Sequence, residues 1–552
     1  MKKHLGIFFA ILIFALLFRT VGANFNLPYV YTTEEYKVIN YALGMGRGDL
    51  NPHFFNYPSL YLYFTLFVSG IIFVFGKIFG VFASVQDFAI SFVKNPTTIY
   101  FTMRLISGLW STATVVMTYF TAKELFGKTA GLISMAILSS IPSILISAHE
   151  VRPSMPSMFL VITAFYLLVI FLRKNDHRYF YFSAALIGLA TSIYYNAFFL
   201  TFPLIASHFF NRKKISILDL HLWKGLLLIP LFFIAGTPYS LLDFKSFYTD
   251  FSAHSQGALS NLPRGLPAVL SHYLFIGHNS YITPFLGFIC FSGLAFIILK
   301  PSPQNLLTLI TIISFTFPAA MYFSPGIGYL FPAFPLFIAS GAFLIDKIRG
   351  LNKFVFSVIL LLCFVPSVWE STELIRTYLI EDTRTTAKEW IEKNIKPGSK
   401  ILIDVPAHSP PIKETKKQTE ELYRRAVAEN HYKKEYLKLQ LETYSTNDKT
   451  YEIWQIFRKP LEISGTADIH LILQAQKVQH LIDVSGGWND LRKKGVKYFI
   501  FNDRDMDSAL NSKNPVLTNF YLRMRKETKL LAHFDPPSRI YPSPIIEIRQ
   551  LK

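Results

Sequence analysis

Over its first 370 residues the chain alternates between long apolar runs and short polar connections. A helix needs about 20 consecutive apolar residues to cross the hydrocarbon core of a bilayer. The pattern therefore predicts a polytopic α-helical membrane protein with about eleven transmembrane helices. The predicted spans are Leu5 to Val21, Tyr100 to Phe120, Ala130 to Ile146, Pro156 to Phe171, Phe180 to Ile193, Ala197 to Phe210, Leu222 to Ala235, Thr283 to Leu299, Leu306 to Tyr322, Ile327 to Ile345 and Phe354 to Pro366.

One further apolar run, Ser59 to Val81, is also long enough to cross, and the basic residues decide its interpretation. If it does not cross, the basic clusters all fall on one face: Lys2/Lys3, Lys123/Lys128, Arg173/Lys174/Arg178, Arg212/Lys213/Lys214, Lys300 and Lys347/Arg349/Lys353. Lys and Arg are enriched on the cytoplasmic side of membrane proteins. We therefore expect a juxtamembrane or re-entrant helix here, a cytoplasmic N-terminus, and Glu34 on the outer face.

From about Ser371 the sequence becomes charged and mixed. We interpret residues 371–552 as a soluble extracytoplasmic α/β domain that follows a transmembrane domain of residues 1–370. A helix is predicted from Thr386 to Asn394, with Thr386 and Glu389 as a capping box. Further predictions are strands at Lys400 to Asp404, Gly495 to Phe501 and Ser543 to Ile548, a short helix at Trp488 to Lys494, and helical structure within Ile412 to Tyr444.

The composition supports the membrane assignment. Of 552 residues, 51% are hydrophobic and 16% charged, and the mean hydropathy is +0.33, which is too apolar for an ordinary soluble protein. A net charge of +19 would suit nucleic acid, but the basic residues are dispersed between apolar runs, so nucleic acid is not an expected partner. Cys290 and Cys363 lie in apolar runs without metal-ligand spacing. No obligatory metal is predicted, and the need for a divalent metal stays open.

Two adjacent carboxylates, Glu34 and Glu35, follow the first apolar run in Tyr31-Thr-Thr-Glu-Glu-Tyr-Lys-Val-Ile-Asn40. Thr32 and Glu35 match a capping box that precedes an amphipathic segment. The pair therefore either starts a surface helix or supplies a catalytic base. The two roles are compatible, because a capped helix is a rigid support for a carboxylate.

A loop punctuated by Gly and Pro follows these acids and carries His53, Asn56 and Tyr57. Arg104 then falls a few residues into the next predicted span. An Arg at the centre of a transmembrane helix raises the free energy of membrane insertion by about 2.5 to 3.5 kcal/mol. Arg104 is therefore expected to snorkel, to have a partner, or to bind an anionic ligand.

The next predicted outer loop contains His149, Glu150 and Arg152 within a short turn. Glu150 and Arg152 form either a solvated interfacial pair or part of a site. Both polar loops are predicted at the same membrane face, where they would converge on one cavity.

These residues, in this order, resemble the polyprenyl-phosphate-sugar-dependent glycosyltransferases of the GT-C superfold. The group includes the protein O-mannosyltransferases and the lipid A aminoarabinose transferases of glycosyltransferase family 39 and its bacterial relatives. The resemblance covers most of the chain: the acidic pair, "NPHFFNYPSLYLY", "RLISGLWSTATVVMTYFTAKELFGKTAGL", "HEVRPSMPSMF", "GLATSIYYNAFFLTFP", "GTPYSLLDFKSF" and "DTRTTAKEWIEKNIKPGSKIL".

The resemblance implies an enzyme of the plasma (inner) membrane that transfers a sugar from a polyprenyl-phosphate donor to an extracytoplasmic acceptor, which is a glycan, a lipid or a protein. Attack opposite the leaving phosphate implies inversion at the anomeric carbon. The implied site residues are Glu34 and Glu35 for catalysis, Arg104 and Arg152 for the donor phosphate, and His53, Asn56, Tyr57, His149 and Glu150 for substrate binding.

The chain departs from the pattern of these relatives at three positions. Glu34 stands where they have an Asp, Ser154 where they often have an Asp, and Gly328 where they commonly have an Arg. Two other interpretations stay open. One is a noncatalytic glycan-binding member of the same fold, which these departures keep possible. The other is a transporter or flippase, for which polar residues are expected at the centre of the bilayer. An oligosaccharyltransferase is disfavoured because the chain has no Trp-Trp-Asp motif.

Overall fold

The computed structural model of the chain describes residues 2–211, 218–259, 282–320, 327–431, 433–457, 476–512, 514–536 and 543–552. Tyr322, the predicted end of one span, and the basic cluster at 212–214 lie outside these ranges. Internal contacts divide the chain into two compact units. The first unit comprises Met1–Ala23, Glu34–Gly70 and Tyr100–Ile375, and the second comprises Asn24–Thr33, Ile71–Ile99 and Arg376–Lys552. The second unit thus takes two early segments as well as the C-terminal part.

Up to residue 378, the secondary structure of the described residues is helical. Its helices are α1 (Lys2–Thr20), α2 (Thr33–Met45), α3 (Leu60–Ile78), α4 (Val85–Lys94), α5 (Thr97–Phe126), α6 (Lys128–Ser139), α7 (Pro142–Ala148), α8 (Ser154–Lys174), α9 (His177–Thr191), α10 (Thr201–Phe210), α11 (Leu220–Gly236), α12 (Tyr239–Leu242), α13 (Phe244–Leu259), α14 (Pro284–Ile298), α15 (Pro303–Ala320), α16 (Phe334–Leu351) and α17 (Lys353–Tyr378). Short 3₁₀ turns lie at Tyr195–Leu200, Ile327–Tyr329 and Phe331–Ala333.

Within the described residues, five helical stretches are long and apolar enough to cross a membrane: α3, α5, α8, Phe331–Leu351 and Lys353–Asn394. Helices α6 and α7 form a sixth candidate, bent by 64°. A helical fold with several apolar helices is confirmed. The count of eleven is not, because helices such as α11 and α14 are shorter than a bilayer crossing. Helix α3, which the basic residues place outside the spans, has the length and composition of one, so its juxtamembrane position stays a prediction.

A buried arginine joins three of these helices. Arg19, near the end of α1, is fully buried and donates from Nε to Ser111 on α5 at 2.9 Å. It also donates to the Ser139 and Leu138 carbonyls at the end of α6, at 2.9 and 3.0 Å. A Cβ added at Gly108 of α5 would lie 2.4 Å from the Arg19 carbonyl oxygen. A glycine at this position is therefore what lets α1 and α5 approach.

The C-terminal part contains a sheet covered by helices. Its strands are β1 (Lys400–Ile403), β2 (Lys413–Glu414), β3 (Thr450–Ile456), β4 (Leu481–Ile482), β5 (Tyr498–Asn502), β6 (Thr528–Phe534) and β7 (Ile546–Leu551). The order is β2-β3-β1-β5-β7-β6, with β4 beside β3. Strands β1 to β5 pair in parallel, and β7 is antiparallel to both β5 and β6. The helices are α18 (Thr383–Asn394), α19 (Lys416–Ala428), α20 (Lys434–Glu442), α21 (Gly487–Lys493), α22 (Asp503–Leu510) and α23 (Pro515–Glu527).

The α/β character of this region is confirmed, with corrected boundaries. Strand β5 begins at Tyr498 and β7 at Ile546, each three residues later than predicted. Helix α18 begins at Thr383, and the Asp382 side chain caps it by accepting from the Arg384 amide. The predicted capping box at Thr386 and Glu389 is therefore wrong, because both residues lie inside the helix.

An early segment of the second unit packs on this region. The Tyr31 ring centre lies 3.6 Å from the guanidinium carbon of Arg384, and its hydroxyl is 2.9 Å from Thr385 Oγ1. Arg384 is held in turn by Asp382, at 2.8 and 2.7 Å. A planar guanidinium stacks well on an aromatic face. Residues 24–33 are thus part of the second unit through specific contacts.

Candidate functional site

The two adjacent carboxylates lie in the first turn of α2, and the second of them is a buried anchor. Glu35 and Arg104 are both fully buried. Arg104 donates from Nε and Nη2 to the two Glu35 oxygens at 2.9 and 2.8 Å, and the Val151 amide donates to Glu35 at 2.9 Å. Arg104 also donates to the Ala23 carbonyl at 3.2 Å. Of the alternatives for Arg104, the structure shows a protein partner, and snorkelling is wrong.

The first carboxylate, Glu34, has a different environment. Its side chain is 28% exposed and lies 3.4 Å from Lys37 Nζ. The Tyr57 hydroxyl donates a hydrogen bond to it. Burial raises its pKa, but the charge of Lys37, the Tyr57 hydrogen bond and the charge of Arg152 outweigh burial and hold the pKa below its ordinary value. Glu34 is therefore ionised at neutral pH.

Glu150 and Arg152 form an ion pair between α7 and α8. The Glu150 side chain is buried, whereas that of Arg152 is 31% exposed. The solvated pair considered from the sequence is thus wrong for Glu150. Burial raises the pKa of Glu150, and the negative charge of Glu35 adds to this, while Arg152 opposes it. The same Arg152 also acts electrostatically on Glu34, so these three charges belong to one neighbourhood.

A series of tyrosine rings leads away from Glu34. The Tyr57 ring centre is 6.2 Å from that of Tyr194, which is 5.5 Å from that of Tyr329. The Asn196 amide donates to the Tyr329 carbonyl at 3.1 Å and fixes that end of the series. Offset and tilted rings at these separations attract one another.

Tyr194 and Tyr329 also line a cavity of about 970 Å³ within the first unit. Its wall is mostly aromatic and includes Asn56, Tyr195, Phe198, Phe233, Phe247 and Phe251. A largely apolar cavity with a few polar groups is the usual form of a binding site for a small molecule or a lipid. The predicted residue Asn56 lies here, which places it beside the tyrosine series.

His53 and His149, the two histidines predicted to bind substrate, have environments that differ from that of Glu34. His53 is exposed and pairs with Asp49 at 2.8 Å. His149 is buried, and its ring nitrogens lie 2.8 Å from the Leu145 carbonyl and 2.9 Å from the Val21 carbonyl. Burial lowers the pKa of His149. Its position between two backbone carbonyls is typical of a residue that holds helices together.

The structure thus brings Glu34, Tyr57, Glu150 and Arg152 together around one partly exposed carboxylate. Four residues without a role predicted from the sequence also lie in this neighbourhood: Lys37, Tyr194, Asn196 and Tyr329. Tyr194 and Asn196 lie in the short connection between two predicted spans, Phe180 to Ile193 and Ala197 to Phe210. Within the part of the chain that the structure describes, no group of three or more His, Cys, Asp or Glu residues is arranged to hold a metal.

Comparisons with known proteins found one family match and similar solved structures. Residues 98–237 match the family described as dolichyl-phosphate-mannose-protein mannosyltransferase. The chain is similar to the solved structure of ArnT from Cupriavidus metallidurans in the apo state, with 12% identity, 98% of each chain covered and a TM-score of 0.50. The comparison with curated proteins gave no match.

Two further solved structures are similar at the level of fold. ArnT from Cupriavidus metallidurans bound to undecaprenyl phosphate shares 11% identity over 98% of each chain, with a TM-score of 0.49. The apo oligosaccharyltransferase of Archaeoglobus fulgidus shares 12% identity over 97% of this chain and 73% of its own, also with a TM-score of 0.49. The family match and the fold together confirm the resemblance of this chain to the polyprenyl-phosphate-sugar-dependent glycosyltransferases of the GT-C superfold.

Proposed function

We propose that this protein transfers a sugar from a polyprenyl-phosphate donor to an extracytoplasmic acceptor, with Glu34 as the general base. The observation that carries the proposal is the environment of Glu34. It is partly exposed, starts a rigid helix, and is kept ionised by Lys37, Tyr57 and Arg152. A base that is ionised, accessible and held in place is what proton removal from an acceptor requires.

In the proposed reaction the acceptor is a hydroxyl or another nucleophile that carries a proton. Its oxygen or nitrogen attacks the anomeric carbon and forms the new glycosidic bond, while its proton passes to the Glu34 carboxylate. The bond between the anomeric carbon and the phosphate oxygen breaks, and the lipid phosphate leaves with the electron pair. In-line attack opposite the phosphate inverts the anomeric carbon, and alignment of the two reactants supplies much of the rate.

The proposal assigns the growing phosphate charge to Arg152. Its guanidinium is partly exposed, and a charge-assisted contact to phosphate oxygens strengthens as the glycosidic bond breaks. Arg104 and Glu35 are reassigned from donor binding and catalysis to the support of α2, because they bind each other with both Glu35 oxygens occupied. Residues 98–237 match a family whose description names dolichyl-phosphate-mannose. This match supports a lipid-linked donor. The acceptor is a glycan, a lipid or a protein.

The proposed enzyme lies in the plasma (inner) membrane with its N-terminus in the cytoplasm. Its site and residues 371–552 face the outside. A transporter and a noncatalytic glycan-binding protein are the alternatives, and neither forms a new glycosidic bond. Turnover therefore distinguishes the proposed enzyme from both alternatives.

The test is sugar release and transfer from radiolabelled polyprenyl-phosphate hexoses and pentoses by the reconstituted protein. Glu34→Gln is expected to lower kcat by about 10²- to 10⁴-fold, with thermal stability unchanged. The matched control is Glu124→Gln, since Glu124 pairs with the exposed Arg173, and it should keep parental activity. Equal turnover by the parent and a folded Glu34→Gln protein would overturn the assignment of the base. A parent that releases no sugar across the panel and the candidate acceptors would overturn the proposed activity.

A further inference from the structure

Lysines gather at one end of the sheet in the second unit. Strands β1, β3 and β5 are parallel and begin at this end, where β6 also begins and the antiparallel β7 finishes. A lysine lies at or close to each of these five strand termini: Lys449 before β3, Lys400 at the start of β1, Lys497 before β5, Lys552 after β7 and Lys526 before β6. We call these five lysines, together with Lys396 in the turn before β1, the basic end.

Backbone and side-chain contacts show that the basic end is one continuous surface. The Lys497 amide donates to the Lys400 carbonyl at 3.4 Å, which puts the two residues at the same level of neighbouring strands. The Lys552 side chain donates to the Lys526 carbonyl at 2.9 Å. Arg492, near the end of α21, donates to the Lys552 carbonyl at 3.3 Å and so adds a further cation to this surface.

The acids beside the basic end are already paired. Three ion pairs lie there: Glu452 with Lys400 at 3.2 Å, Asp490 with Lys494 at 2.6 Å, and Glu527 with Arg492 at 3.4 Å. Lys396, Lys497 and Lys526 are exposed and have no acidic partner in the part of the chain that the structure describes. Positive charge is therefore in excess on this surface.

The opposite end of the same sheet carries acids. Asp404 directly follows β1, and Asp503 and Asp505 lie in the first turn of the helix that follows β5. The two ends of the sheet thus differ in the sign of their charged residues. The basic end is a local feature, and the net charge of +19 for the whole chain does not by itself explain it.

Helix termini explain part of this charge. Helices α18, α21 and α23 have basic residues in their last turns: Lys393, then Arg492 and Lys493, then Arg525 and Lys526. A cation there interacts favourably with the helix dipole. Lys396 and Lys497 lie outside the helices. Helix capping therefore does not account for them, and a ligand does.

The arrangement of the charges indicates the kind of ligand. Neighbouring strands are about 4.8 Å apart, so the lysines of β1, β5, β7 and β6 form a row about 14 Å long. A single carboxylate or phosphate is much shorter than this row. All six residues of the basic end are lysines, whose flexible point charges do not fix one planar anion as a guanidinium does. A flexible polymer with repeated anionic groups fits such a row.

The apolar residues beside these lysines argue against a lipid bilayer as the ligand. Ile395, Leu491 and Val496 adjoin the basic end in the chain, and all three are buried. A surface that inserts into a bilayer exposes apolar side chains beside its basic ones. The basic end offers charge without such side chains, which favours a hydrated polymer.

We infer that the basic end binds an anionic glycan, a polymer of sugars with repeated carboxylate or phosphate groups. The inference goes beyond the proposed function, because it gives a ligand to a part of the chain that sugar transfer does not use. The choice of a glycan over nucleic acid rests on the proposed outer location of residues 371–552. The bound glycan need not be the acceptor.

Equilibrium binding to the full-length protein in phosphatidylcholine nanodiscs tests this inference. The probes are fluorescent polygalacturonate, which carries carboxylates, and phosphorylated dextran. Methyl-esterified polygalacturonate and plain dextran are the uncharged references. The parent is expected to bind at least one anionic polymer more tightly than its reference. Its affinity should fall as salt is added, since exposed charges are screened beyond about 8–10 Å.

Two triple variants with the same loss of charge locate the binding surface. Lys396→Gln/Lys497→Gln/Lys526→Gln should raise the Kd about tenfold, because each exposed ion pair contributes about twofold to threefold. The control is Arg424→Gln/Arg425→Gln/Lys434→Gln on α19 and α20, where Arg425 donates to the Gln479 carbonyl ahead of β4. It should change the Kd by less than about twofold. Arg at the three positions of the first variant keeps the charge and should keep parental affinity. Thermal unfolding shows that each variant is folded.

Three results would overturn the inference: no preference of the parent for either anionic polymer, equal losses in the two triple variants, or parental affinity in the folded first variant. Vesicles that contain phosphatidylglycerol test the bilayer directly. Binding to them that is lost in the first variant, without any binding of the polymers, would also overturn it. Sugar release from a lipid-phosphate donor is measured separately. A protein that binds the polymer but releases no sugar would contradict the proposed function alone.

Discussion

The adjacent residues Glu34 and Glu35 have different environments in this protein. Glu34 and Glu35 are neighbours in a helix of 3.6 residues per turn, so their side chains point about 100° apart. Glu35 turns inward to Arg104, and Glu34 stays partly exposed beside Tyr57. The sequence predicts that this acidic pair matters. It does not predict which acid is buried, because Arg104 lies 69 positions away.

The pH dependence of activity should report the hydrogen bond between Tyr57 and Glu34. The pKa of Glu34 is below its ordinary value, so the ionised base persists at neutral pH and is lost only as the pH falls through that lowered pKa. Tyr57→Phe removes a donor to the charged form. The acid limb of kcat/KM is therefore expected to move up by about one pH unit. A Tyr63→Phe control should leave the limb in place, since the Tyr63 hydroxyl donates to the Leu50 carbonyl. An unmoved limb in Tyr57→Phe would contradict the assigned base.

The buried pair of Glu35 and Arg104 should dominate local stability. Glu35→Gln leaves the Arg104 charge buried and uncompensated, which is expected to cost about 3–5 kcal/mol. Thermal and denaturant unfolding in detergent measures this change. The same substitution at Glu124, whose partner Arg173 is largely exposed, should cost less than about 1 kcal/mol. A second change, Arg104→Met, should recover part of the loss in Glu35→Gln, and failure to recover it would argue against an electrostatic cause.

At the scale of elements, apolar runs predict that helices exist, but not where they bend. Ala130 to Ile146 was predicted as one span, and the structure bends it by 64° between α6 and α7. The carbonyls at the bend are bound by side chains from distant helices: Arg19 donates to Ser139, and Ser371 donates to Ser140 at 2.7 Å. Partners more than 100 positions away are invisible to a local pattern.

Close packing of α14 against α16 depends on glycines at the contact, Gly293 on α14 and Gly341 on α16. A Cβ at Gly293 would lie 2.2 Å from the Ser340 carbonyl oxygen, whereas a Cβ at Gly287 of the same helix would meet nothing within 4 Å. Gly293→Ala is therefore expected to cost about 1–3 kcal/mol by forcing the helices apart. Gly287→Ala should change stability by less than about 0.5 kcal/mol. Unfolding of the two variants side by side measures the difference, and equal stabilities would contradict the close contact.

At the scale of the whole molecule, the site is less predictable than the fold. The polar loops that carry Glu34, Tyr57 and Arg152 stand out in the sequence between apolar runs, and the family resemblance gives these residues their predicted roles. Tyr194 and Tyr329 were not predicted, since ring contacts join positions that a linear pattern does not relate. The topology of α3 is also not decided by the sequence. Its length suits a crossing, while the distribution of basic residues argues against one.

Cysteine labelling on intact cells decides that topology. Cys290 and Cys363 are buried, so the native background is low. A membrane-impermeant maleimide is expected to label Leu50→Cys and Phe79→Cys, which lie on either side of α3 and are exposed. Leu351→Cys, exposed at the end of α16, should react only after permeabilisation. Labelling of Leu50→Cys without Phe79→Cys would show that α3 crosses and that the prediction from the basic residues is wrong.

The contact between Tyr31 and Arg384 has a consequence for biosynthesis. The segment around Tyr31 leaves the ribosome long before its partners, since Tyr31 and Thr385 are 354 positions apart. At about 5–20 residues per second, translation of the intervening chain takes about 20 to 70 s. Residues 24–33 and 71–99 are synthesised first, and the second unit is complete only after the rest of its chain has been translated. That unit therefore forms last, and a C-terminal fragment expressed by itself lacks the tyrosine face that covers Arg384.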